Sequence, residues 1–131
     1  MQYQYSDTLG GNPAQADHST GIIYLNRLLW PSYPPLYQKY FLEHEKGHII
    51  QKSADQITAD TYAFKAIASS QPEQAMLLPA ILEKTLDFTS QRDRERIANM
   101  HQLTDQLKQR VKTGFKPVSI KTVQTGFKPV S

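Results

Sequence analysis

Apolar residues recur at spacings of three and four through the middle of the chain, and this period predicts a helix over about residues 36–51. Its apolar stripe runs through Tyr37, Tyr40, Phe41, His44 and His48, while Lys39, Glu43 and Lys46 fall on the other side. Two histidines are therefore placed on the face expected to be buried. Ser53-Ala54-Asp55 forms a short connection with capping chemistry. A second helix is expected from about Gln56 to Ser69, with Ile57, Asp60, Thr61, Phe64 and Ile67 on its stripe. Ser70-Gln71-Pro72-Glu73 has the form of a capping box with proline in the first turn, opening a third helix to about Asp87. Pro79 should kink or split that helix, because it lacks the N–H the helix needs. A fourth begins at Ser90-Gln91-Arg92-Asp93 and carries Ile97, Met100, Leu103, Leu107 and Val111 on one face.

The first twenty residues are polar, with an evident turn at Gly10-Gly11-Asn12-Pro13. Tyr3 and Tyr5 alternate with glutamine, which suits a short strand, and Gly21–Asn26 is a better strand candidate, β-branched and bounded by Gly and Asn. Trp30-Pro31-Ser32-Tyr33-Pro34-Pro35 breaks regular structure ahead of the first helix. The fold class this order predicts is α+β, a short N-terminal sheet packed on three to four helices over residues 1–112. After Lys112 the character changes: TGFKPVS occurs at 113–119 and again at 125–131, and Gly and Pro in each copy forbid a helix. This basic repeated tail is expected to be flexible. A sharper hypothesis has an extended Gly-Phe-Lys-Pro-Val segment occupying a groove of its own molecule or of a neighbour.

With 131 residues the chain holds one domain's worth of material, and 39% hydrophobic and 21% charged residues suit a globular protein. The absence of cysteine excludes disulfides, thiolate metal sites and thiol catalysis. The net charge of +3 is uneven, with six basic against nine acidic residues up to position 91 and nine against three beyond it. A solvated helix and a lysine-bearing tail account for that asymmetry, and no aromatic-interleaved arginine cluster points to nucleic acid. No stretch approaches the roughly 20 apolar residues of a membrane span. The N-terminus has neither a basic start nor an apolar core, so the expected location is the cytoplasm.

The chemistry centres on His44-Glu45-Lys46-Gly47-His48, an HExxH pentapeptide. Imidazoles at i and i+4 lie one turn apart on the same side of a helix and can grip one metal ion. Burying two unpaired imidazoles beside a carboxylate costs several kcal/mol unless a partner such as a metal compensates them. Glu45 is then placed to take a proton from metal-activated water. Gly47 removes a side chain between the two histidines, permitting close approach of another backbone segment. A catalytic zinc has three protein ligands and an open position. Asp55, Gln56, Asp60 and His101 are the candidates for the third. Asp60 is the expected ligand, because it interrupts an apolar stripe between Ile57 and Phe64 and is forced inward, where a carboxylate needs a cation. It would alternatively hydrogen-bond a ligand histidine from behind.

HEKGH followed by Asp55-Gln56-Ile57-Thr58-Ala59-Asp60-Thr61-Tyr62-Ala63 resembles the HExxH…E-x-x-A-D-x-x-A arrangement of compact gluzincin-like zincins. The small ImmA/IrrE-type and phage-associated metallopeptidase domains are of this kind. The resemblance covers about residues 21–68, with a fainter likeness at 90–103. It implies a zinc-dependent peptidase acting on a peptide or protein, with His44 and His48 as ligands and Glu45 as general base. In that pattern the Glu four residues before the Asp is the usual third ligand and the Asp supports a histidine, whereas here Gln56 stands at the Glu position. The resemblance also implies an edge strand beside the active-site helix that pairs with extended substrate, a role expected of Gly21–Asn26. An oxyanion stabiliser is expected among Tyr24, Tyr62, His101, Arg94 and Arg96. The alternative from another class is a catalytically weak or inactive metal-binding domain serving as an interaction or regulatory module.

Overall fold

The alternating segment at the N-terminus forms β1 (Gln2–Ser6), and the β-branched run forms β3 (Ile22–Asn26). Between them lies β2 (Ala14–Asp17), a strand that the alanine-rich stretch Ala14-Gln15-Ala16-Asp17 does not announce. The computed structural model describes residues 1–112 and has the expected α+β architecture. The sheet order is β1-β3-β2, with β1 parallel and β2 antiparallel to β3. β3 is thus the central strand and not the edge strand expected from the resemblance; β2 holds the edge beside the first helix. Ala14 and Ala16 pair opposite Leu25 and Ile23, so one face of the sheet combines small residues with buried aliphatic ones. Asn26 is buried and donates from Nδ2 to the carbonyls of Gly10 and Asn12, both at 2.9 Å, which fixes the loop leading into β2.

A 3-10 turn at Trp30–Ser32 leads into α1 (Pro35–Ile50), which starts with proline in its first turn. α1 buries Tyr40, Phe41, His44, Gly47 and His48; of the stripe read from its periodicity Tyr37 is only half-buried, and the glycine is added. It ends in a Schellman turn: Ser53 N–H donates to the His48 carbonyl at 3.1 Å and Lys52 N–H to that of Ile49 at 3.2 Å. Lys52 takes the left-handed conformation that this turn requires (φ 51°). α2 (Gln56–Ser70) is capped by Asp55, whose carboxylate accepts from the Thr58 N–H at 2.8 Å. α2 buries Ala59, Asp60, Ala63, Phe64 and Ile67.

The predicted third helix is split, but ahead of Pro79. α3 (Pro72–Ala75) is a single turn, and Pro79 sits in the first turn of α4 (Leu78–Thr85), where its missing N–H is harmless. α5 (Gln91–Lys112) buries Ile97, Met100 and Leu107. The chain divides into two units, Met1–Met100 and His101–Ser131. The sheet, α1–α4 and the first part of α5 belong to the first; among described residues the second contributes the continuation of α5. The repeated heptapeptide, and the groove-filling role considered for it, lie outside the described residues. Among the described residues no helix is long and apolar enough to cross a membrane.

α1 and α2 meet at Gly47. A Cβ built there would lie 3.0 Å from the Tyr62 Cβ and 3.1 Å from both the Cα and the carbonyl oxygen of Ala59. Two of these neighbours are backbone atoms, so they yield only if the helices separate. Gly47→Ala gains about 1 kcal/mol of helix propensity, yet overpacking at such a contact costs about 1–3 kcal/mol. A net loss of stability is expected, read as a lower urea midpoint than wild type; an equal or higher midpoint would show that the contact is slack.

Candidate metal centre

α1 carries His44, Glu45 and His48 within two turns, both histidines on its buried face, and the N-terminus of α2 brings Gln56 against them. The ligand atoms of His44, Glu45 and His48 lie within 4.8 Å of one another and form a group that could hold a metal ion. The His44 and His48 Nε2 atoms are 3.2 Å apart, and Gln56 Oε1 lies 2.8 Å from the first and 3.0 Å from the second. Glu45 Oε2 stands 3.9 Å from His44 Nε2.

Each ring is held from behind. His44 Nδ1 is 2.8 Å from Asp60 Oδ1, and His48 Nδ1 is 2.8 Å from the Ser53 carbonyl oxygen. Both partners only accept, so each Nδ1 carries a hydrogen, and a ring with no second proton presents a bare lone pair at Nε2. Three acceptors, two Nε2 atoms and the Gln56 oxygen, therefore converge on one point with no hydrogen of their own between them. As they stand, a cation or an added proton must satisfy them. Two imidazoles and an amide oxygen, with a carboxylate close by, are a donor set that could hold a metal ion.

Asp60 is inward, as its place in the apolar stripe predicts, and its relative exposure is 0%. It is brought to the back of His44, to the nitrogen opposite the one facing His48 and Gln56. Its oxygens are taken up by His44, by the Tyr40 hydroxyl at 2.5 Å, and by Arg96, whose Nε and Nη2 donate at 2.8 and 3.1 Å. Burial by itself raises the Asp60 pKa, but the hydrogen bonds and charges of His44 and Arg96 outweigh it and hold the carboxyl below its ordinary value. Asp55 is engaged elsewhere, capping α2 and pairing with Arg92. His101 belongs to the second unit of the chain.

Glu45 accepts a hydrogen bond from the Ala16 N–H of β2 at 2.8 Å. Burial pushes its pKa up from the ordinary glutamate value, against the lowering effect of the two histidines and of that N–H. The group opens into a cleft of about 600 Å³. Its walls include the Gly11–Pro13 loop, Ala16, Phe41, Leu82 and Leu86. Two residues passed over in the sequence also line it: His18, whose ring centroid is 6.0 Å from that of His48, and Tyr33. Each is single and outside any motif, so no sequence signal marks it. Of the expected oxyanion stabilisers only Arg96 lines the cleft, and its guanidinium is committed to Asp60. No family model matches this chain, and neither does any curated protein or solved structure.

Arg96 is the cation that keeps Asp60 ionised in the core, so removing it strands a charge. Arg96→Met should lower stability by about 3–5 kcal/mol, with the double variant Asp60→Asn/Arg96→Met recovering part of the loss. Denaturant midpoints of the three proteins check this; a double variant no better than Arg96→Met would show that the ion pair is not the cause.

Proposed function

We propose that this protein is a zinc-dependent peptidase that uses the His44–Glu45–His48 group at the floor of the cleft. The observation that carries this reading is the convergence of the two Nε2 lone pairs and the Gln56 oxygen next to a glutamate facing the open cleft. His44, His48 and Gln56 would hold the ion, with Asp60 orienting His44 from behind rather than ligating. A bound zinc supplies a Lewis acid for a carbonyl and brings the pKa of water down to about 7.

Glu45 accepts the proton of the attacking water and returns it to the departing amine, so that water is added across the C–N bond and a carboxylic acid and an amine result. Its raised pKa suits both halves of that transfer. His18 stands on the cleft wall beside His48, where a ring N–H can donate to the substrate oxygen that gains negative charge. The open edge of β2 offers main-chain groups to an extended peptide. Gln15 and Asp17 alternate with Ala14 and Ala16 along the ladder with β3, and since the Ala16 N–H is taken by Glu45, the groups left for a peptide are the Ala14 main chain and the Ala16 carbonyl.

A closed structural site has no use for a carboxylate at the Glu45 position, which favours an enzyme over a purely structural metal module. The test combines zinc content by elemental analysis with peptidase assays on a mixed peptide library. His48→Ala should lose zinc; Glu45→Gln should keep zinc and lose at least about 100-fold in kcat. His18→Ala should keep zinc and lose about 100–1000-fold, chiefly in kcat. Zinc bound by wild type with no cleavage in any form would move the assignment to a metal-binding interaction module.

A further inference from the structure

We propose that Gln56 is a reversible amide closure of the ion site, turning its oxygen to a bound cation and its –NH2 to the two histidines when the cation leaves. This rests on the metal-dependent reading above and concerns how the site survives without its ion.

The stoichiometry of donors and acceptors is the starting point. With both Nδ1 hydrogens committed, to Asp60 and to the Ser53 carbonyl, the cleft-facing Nε2 atoms are two bare acceptors. A primary amide has one oxygen and two N–H donors, and Gln56 reaches both Nε2 atoms from one place, at 2.8 and 3.0 Å. With the oxygen forward, three lone-pair donors face a cation. After a half-turn about the last side-chain bond, two N–H groups face two acceptors, and the site is satisfied without metal. The rotation needs no backbone movement.

A glutamate at this position cannot do the same. A carboxylate only accepts, so an emptied site would hold three converging acceptors until it took up a proton, which the amide does not need. Neither Asp55 nor Asp60 can substitute for the amide, because Asp55 is spent on capping α2 and on Arg92, and Asp60 lies behind His44. The exchange has a consequence for affinity. The Asp60 charge is matched by Arg96, and His44, His48 and Gln56 are all neutral donors, so the ion meets less negative charge than a carboxylate ligand would provide. Gln56 thus favours an exchangeable ion and a metal-free state that stays folded.

The experiment uses the full chain with Zn²⁺ as the probe. It measures the zinc Kd by chelator competition and the melting temperature of the metal-free protein, for wild type, Gln56→Glu, Gln56→Ala and His48→Ala. Gln56→Glu should bind zinc at least about ten-fold more tightly than wild type, and its metal-free form should melt about 5 °C lower. Gln56→Ala should bind more weakly and also melt lower when metal-free. A Gln56→Ala protein matching wild type in both measurements, or a metal-free Gln56→Glu protein melting at or above wild type, would overturn the proposal. Zinc uptake that needs His48 but is indifferent to Gln56 ends this proposal alone. Uptake indifferent to His48 ends the metal-dependent reading as well.

Discussion

The buried carboxylate of Asp60 is the interaction on which the rest of the site depends. It sits on α2 and accepts from Tyr40 and His44 of α1 and from Arg96 of α5, so one fully enclosed anion ties three helices together. An ionised carboxylate in such a place is unfavourable by several kcal/mol until its lone pairs are filled. Filling them requires all three partners in register. The orientation of the His44 ring therefore follows from a constraint on the whole helical layer, and not from a local preference. Tyr40 shares in this, since burial and the adjacent Asp60 raise its pKa and keep it a hydrogen donor.

The second ring is fixed by a different device. His48 is tied to the Ser53 carbonyl, which is brought back to it by the Schellman turn that ends α1. One histidine is thus set by a charge and the other by backbone geometry, and both are left in the same tautomer. The close contact at Gly47 is the third part of the arrangement. It lets Ala59 lie against α1, and without that approach neither Asp60 nor Gln56, one residue after and three before Ala59, would reach the imidazoles.

Much of this was legible in the sequence, for physical reasons that differ by element. α1 and α2 announce themselves because their apolar stripes follow the helical period, and the motif histidines lie on that stripe. The inward direction of Asp60 was readable for the same reason. The choice between its two expected roles, ligand or support behind a histidine, was not, because which nitrogen of His44 it meets depends on the offset between two helices, and its neutralising partner Arg96 lies 36 residues away. β2 was invisible: four residues with two alanines carry little strand propensity, and the strand exists because β3 offers a partner. Missing it moved the expected edge strand to β3. His18 was missed as a consequence, since its position beside His48 is set by where β2 ends.

The placement of Glu45 connects the sheet to the candidate metal group. Its hydrogen bond from Ala16 uses an N–H that the ladder with β3 leaves free, because Ala16 is at a position whose main-chain groups point to the open edge. β2 therefore performs two tasks along its length, holding the carboxylate at Ala16 and setting His18 beside His48 two residues on. On the proposed reading the base and the stabilising donor are both referenced to one strand, while the metal ligands are referenced to two helices. The relative position of the ion and the groups acting around it then depends on how β2 packs against α1, where the small side chains of Ala14 and Ala16 leave room for the helix. This makes the alanines, poor as strand formers, functional as spacers.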